Sequence, residues 1–123
     1  MAWVEWDQRR FAPDLGTPLC RDDELSDGVA REFTFGEGKR PFSMFLHRHG
    51  GVVRAWVNAC PHFQLPLNAQ PDKFLNKDAT KLTCAHHYAR FDPISGDCVE
   101  GPCMGDKLLS IPVSLVDQMW VVG

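Results

Sequence analysis

The chain lacks an excess of positive charge. Thirteen Lys and Arg face sixteen Asp and Glu, for a formal charge of −3. No basic stripe is available to neutralise phosphates, so nucleic acid is not an expected partner. It also lacks any apolar run near the roughly 18–20 residues that span a bilayer, so no membrane segment is expected. Arg9-Arg10 has the look of an export signal, but Pro13, Asp14 and Gly16 follow where an apolar stretch is required. The N-terminal segment therefore reads as mature and cytoplasmic, with Trp3, Trp6 and Phe11 packing on the domain. Internal repeats, linkers and low-complexity tracts are missing. So is any nucleophile–base set, and the chain alone is expected to convert no substrate.

What remains is a chain of 123 residues, 44% hydrophobic, with nine prolines and ten glycines. That length suits one domain, residues 1–123, able to bury a core without disulfide staples. Runs with β character cover 29–35, 42–48, 52–57, 81–83, 108–116 and 119–122. His47–Gly51, Ser95–Asp97 and Asp117-Gln118 read as turns between them. The best helical candidate is a single acidic turn at Asp22-Asp23-Glu24. Short strands punctuated by turn residues specify an all-β, antiparallel sandwich or barrel.

Residues 58–104 stand apart from that scaffold. They hold four of the five cysteines and three of the five histidines. An odd cysteine count with Cys and His side by side points to metal binding before disulfides. Two boxes carry the pattern, Cys60-Pro61-His62 and Cys84-Ala85-His86-His87, with 21 residues between them. Each spacing lets one turn aim a thiol and an imidazole at one point. Four such ligands suit zinc or an iron–sulfur cluster. A zinc finger takes its thiols from one knuckle and its imidazoles from one helix. Here each loop supplies one of each, and neither box has a helical pattern. A cluster with two chemically distinct irons fits better: Cys60 and Cys84 on one, His62 and His87 on the other.

The motif C-x-H…C-x-x-H, written here as CPHFQLPLN and CAHHYARFDPISGDCVEGPC, resembles the Rieske [2Fe–2S] family. The second box continues in the family manner, with Phe91, the Gly96 turn and Gly101-Pro102. The resemblance implies a β-sandwich carrying a loop-built cluster-binding subdomain at 58–104 and one [2Fe–2S] cluster per chain. Its ligands would be Cys60, His62, Cys84 and His87, with His86 at the cluster edge. Leu65 and His86 stand where high-potential members have a disulfide, and Ala89 stands where such members have a serine donor. A low potential for this family is the expectation. Two positions depart from the pattern. The 21-residue gap is long, with 72–80 expected as a surface excursion, and Tyr88 replaces a common glycine.

The role implied is one-electron transfer from a reductase to a terminal oxygenase, with the partner docking at the His62/His87 tip. The alternatives are a small subunit of a larger oxidoreductase such as nitrite reductase, and a zinc-binding structural module or redox sensor. An oxygenase catalytic subunit would need a second domain with a mononuclear iron site, which this length does not accommodate. Elsewhere the bland readings are preferred. Cys20, Cys98 and Cys103 read as core, and His47 and His49 as a solvated hairpin tip. Gly101-Pro102 reads as the loop that covers the cluster.

Overall fold

The computed structural model describes residues 5–61, 65–85 and 89–123. Among these residues, ten strands form three antiparallel sheets. The central sheet has the order β2 (Ala30–Phe35), β3 (Phe42–His49), β4 (Val52–Val57) and β8 (Ser110–Ile111). A second sheet joins β1 (Pro18–Arg21), β10 (Met119–Val122) and β9 (Val113–Val116). The third holds β5 (Leu82–Thr83), β6 (Arg90–Phe91) and β7 (Cys98–Glu100). The all-β reading holds, and the only helical pieces among the described residues are single turns at Trp6–Gln8 and Asp22–Glu24.

The alternation of β3 and β4 explains the layering. Successive strand residues point to opposite faces. Phe42, Met44 and Leu46 of β3, with Ala55 and Val57 of β4, join a core that includes Cys20, Ile111 and Val122. Phe45 and Trp56 point the other way, into a second core with Leu82, Phe91 and Cys98. The central sheet is thus covered on both faces, by the β1–β10–β9 sheet on one and by the third sheet and its loops on the other. Trp6 and Phe11 pack against the first core as expected, while Trp3 lies outside the described residues.

The turns follow their residues. Gly50 and Gly51 close the β3–β4 hairpin, and Asp117 and Gln118 close β9–β10 with positive φ at both positions. The expected strand over 108–116 divides at Pro112, which cannot donate to a ladder. Beyond strand pairing, Asp22 accepts from both Arg48 of β3 and Trp120 Nε1 of β10, tying two sheets together. The Arg48 and Trp120 hydrogen bonds hold the Asp22 carboxyl below the usual carboxylate range.

One expectation is refined and another corrected. Residues 72–80 are mostly exposed, as expected of a surface excursion, but the segment is anchored: Phe74 is buried and stacks on Phe45 at a centroid separation of 4.1 Å. Leu75 bridges to Leu82, and the Asp72 carboxylate accepts from the Glu32 amide at 2.7 Å. The surplus length is anchored by one aromatic that local polarity concealed. His47 is not at a solvated tip. It sits in β3 opposite Ala30 and Arg54, 1% exposed, with neither ring nitrogen hydrogen-bonded among the described residues. The hairpin tip is Gly50-Gly51, and the strand runs through both histidines.

Burial, with His49 and Arg54 as positive neighbours, lowers the His47 pKa to about 4. An unfolded histidine titrates near 6.5, so below that pH the unfolded chain binds a proton that the native chain refuses. Stability is therefore full above about pH 6.5 and falls as pH drops toward 4, by roughly 2–3 kcal/mol. Urea midpoints measured between pH 7 and 5 should decline for the natural chain and decline less for His47→Phe. Phe74→Ala should cost about 3–5 kcal/mol in the same assay at pH 7.

Candidate iron–sulfur site

Both cysteine boxes grow out of strand ends. After β4 the alternation of faces continues through Asn58 and Ala59, so Cys60 enters the same core as Trp56. Cys84 follows β5 directly and lies in that core too. Each thiol is fully buried, at 0% exposure.

The two boxes are closed in the same way. The Cys60 N–H donates to the Leu65 carbonyl at 2.7 Å, and the Cys84 N–H donates to the Ala89 carbonyl at 2.9 Å. Each bond joins residue i to i+5, so each box is a short loop pinched at its base. His62 falls in the span closed by the first bond and His87 in the span closed by the second. Both lie outside the described residues, as do His86 and Tyr88. A third bond, from the Ala85 N–H to the Leu67 carbonyl at 2.8 Å, links one loop to the other. Thr83 Oγ1 adds a bond to the Ala89 carbonyl at 3.3 Å.

A part-buried polar network centred on the buried Asn58 fixes the base of the first loop. The Asn58 Oδ1 accepts from the Leu67 N–H at 2.8 Å, which also sets the orientation of the amide. Its Nδ2 faces Asn68 Oδ1, Ser43 Oγ and Glu32 Oε2 at 2.8, 3.1 and 3.2 Å. Asn68 in turn donates to Glu32 Oε1 at 2.9 Å, and Ser43 Oγ donates to Glu32 Oε2 at 2.8 Å. Four side chains from β2, β3, the end of β4 and the loop are thereby satisfied together. None of the four stands out in the sequence, because nothing in an isolated Asn or Glu announces a partner 26 or 36 residues away.

A third loop closes over the two boxes. Gly101 has φ of +97°, and a Cβ there would lie 2.8 Å from Ala89 Cα. Only glycine accepts both the left-handed backbone and that approach. The turn brings Cys98 and Cys103 together at 3.3 Å between sulfurs, and Cys103 Sγ lies 3.9 Å from Cys60 Sγ. Burial, and then the hydrogen bond from Cys98, push the Cys103 thiol above the ordinary thiol range. Both cysteines are core residues as expected, and the contact of Cys103 with Cys60 was not legible from spacing. Among the described residues no three potential ligands are arranged to hold a metal ion by themselves.

The donor set fits an iron–sulfur group. Two buried thiols on loops cross-linked at their bases can serve as thiolates to iron, and each loop has a histidine in its sequence between the closing residues. The profile of the Rieske [2Fe–2S] domain matches residues 16–116. The chain belongs to that family of [2Fe–2S] proteins.

Solved structures agree on the fold. The ferredoxin of carbazole 1,9a-dioxygenase from Nocardioides aromaticivorans is 23% identical, with a TM-score of 0.63, over 87% of this chain and 97% of that one. The Sphingomonas yanoikuyae ferredoxin is 20% identical, with a TM-score of 0.62, over 87% and 96%. The terminal oxygenase of the Nocardioides carbazole system is 24% identical, with a TM-score of 0.67, over 86% of this chain but 29% of its own. No curated protein matches the chain.

Two substitutions test the framework. Asn58→Leu leaves the Leu67 N–H and the Glu32 carboxylate without their buried partner and should cost about 1–3 kcal/mol. The expected result is a lower urea midpoint and faster loss of visible absorbance when the reconstituted protein meets a chelator. Gly101→Ala should bleach faster in the same chelator assay, because the added methyl meets the backbone of the second loop.

Proposed function

We propose that this chain is a Rieske-type ferredoxin, a one-electron carrier between a reductase and a terminal oxygenase. The observation that carries the reading is the pair of matched loops, each presenting one buried thiol and one imidazole position on a common core. Cys60 and Cys84 would hold one iron, His62 and His87 the other. Bound there, a [2Fe–2S] cluster supplies a one-electron couple whose extra charge is shared with its ligands. The chain's own work is to bury the thiolate side, fix the loops and keep the imidazole side toward a partner.

The family profile over most of the chain and the near full-length overlap with two ferredoxins support this reading. One of the similar structures is a complex of reduced oxygenase and oxidised ferredoxin in carbazole 1,9a-dioxygenase. That pairing supports an oxygenase as the partner, and we assign its docking to the His62/His87 tip. Residues 1–123 act as a single domain with 58–104 as its cluster-binding part. No helix among the described residues is long and apolar enough to cross a membrane, and we assign the chain to the cytoplasm. It converts no substrate itself. A nitrite-reductase-like subunit draws no support from the structures named above, which are ferredoxins and an oxygenase.

The surface beside the loops has the character of a docking site. Leu65 is 45% and Met104 66% exposed, one closing the first loop and the other adjoining Cys103. Large apolar side chains left in water beside a redox centre mark a contact patch.

Electron paramagnetic resonance of the dithionite-reduced, reconstituted protein should give a Rieske-type signal with a low average g. A colourless protein carrying one zinc would overturn the assignment. With a cognate reductase and oxygenase, Leu65→Glu and Met104→Glu should each slow transfer to the oxygenase several-fold at unchanged midpoint potential.

A further inference from the structure

From the contact of Cys60, Cys98 and Cys103, we propose that Cys103 is a positioning residue whose thiol donates a hydrogen bond to the Cys60 sulfur and raises the potential of the centre. The inference rests on the reading of Cys60 as an iron ligand.

Sulfur geometry sets the direction of the chain of donors. The Cys98 thiol points its one proton toward the Glu100 carbonyl at 3.2 Å or the Cys103 sulfur at 3.3 Å. It has no reason to accept from Cys103 while donating to that residue. The Cys103 proton has two sulfur neighbours among the described residues, Cys98 Sγ at 3.3 Å and Cys60 Sγ at 3.9 Å, and Cys60 is the one that carries charge when it binds iron. A thiol is a weak donor to a neutral sulfur, but a thiolate on iron carries charge and binds a donor more strongly. Cys103 is 1% exposed and Cys60 is fully buried, so water does not compete for either group.

The consequence is electrostatic. Reduction adds one electron to the cluster and its ligands, with no bond made or broken in the protein. A donor on a ligand sulfur stabilises that added charge and makes reduction easier. Ala89 and Phe91 line the same core with side chains that carry no polar hydrogen. The third loop supplies through Cys103 a donor of the kind that Ala89 cannot be. Gly101 makes this possible by letting that loop approach the second box closely enough to bring residue 103 onto residue 60.

The test is potentiometric titration of the reconstituted protein. Cys103→Ala and Cys103→Val should lower the midpoint, with the reduced-to-oxidised ratio at fixed potential falling roughly threefold to tenfold, tenfold being 59 mV for a one-electron couple. Cys103→Ser keeps a donor and should lie closer to the natural protein than either. Midpoints unchanged in the Ala and Val variants, or a Ser variant no nearer than Ala, would overturn the inference. The unsubstituted holoprotein gives a second readout that does not depend on any variant folding. Its redox-difference infrared spectrum should contain an S–H stretch that moves to lower frequency on reduction, and should lose that feature in D2O. A spectrum without one overturns the inference. Both outcomes are read with a Rieske-type paramagnetic signal in hand. If the natural protein lacks that signal, the ligand assignment fails and takes the inference with it.

Discussion

Three backbone hydrogen bonds govern the site: Cys60 N–H to Leu65, Cys84 N–H to Ala89, and Ala85 N–H to Leu67. The first two pinch each box into a loop of the same size. The third holds the loops against each other. Ligand spacing within each box matters only because these bonds fix where the boxes begin and end. Without them, C-x-H and C-x-x-H are two flexible segments whose thiols and imidazoles have no common centre.

The rest of the fold exists to keep those bonds in register. β4 delivers Cys60 by strand alternation, and the β5–β6 pairing delivers Cys84 and receives Ala89. In the Asn58–Glu32–Asn68–Ser43 network the buried Asn58 and its three half-buried neighbours each find a partner. The network transmits the rigidity of the central sheet to a loop that has no regular structure of its own. Phe74 does the same for the long connection between boxes by stacking on Phe45. A two-faced central sheet is therefore part of the redox design, with one face for stability and the other for the site.

Much of this was legible in the sequence. Short runs of β character marked β3 and β4, and the glycine and Asp-Gln turns marked the hairpins, because those signals are local. The two Cys/His boxes stood out because few chemistries want a thiol and an imidazole in each of two loops. Long-range facts were hidden. His47 reads as polar, yet it lies mid-strand and faces the core, since strand position overrides side-chain type. Phe74 is surrounded by charged neighbours in sequence and so resembled a surface residue. The Cys60–Cys103 contact joins residues 43 apart, and no spacing rule predicts it. Glu32 and Asn58 carried no signal, because a polar network is a property of the fold rather than of any segment.

The central claim is that the two loops hold a cluster whose irons are chemically different. Mössbauer spectroscopy of protein reconstituted with isotopically enriched iron tests it most directly. The account predicts two iron sites in equal amounts with unequal isomer shifts, and the added electron localised on the imidazole-bearing iron after reduction. Equivalent irons in the oxidised protein, or a single iron site per chain, would contradict it.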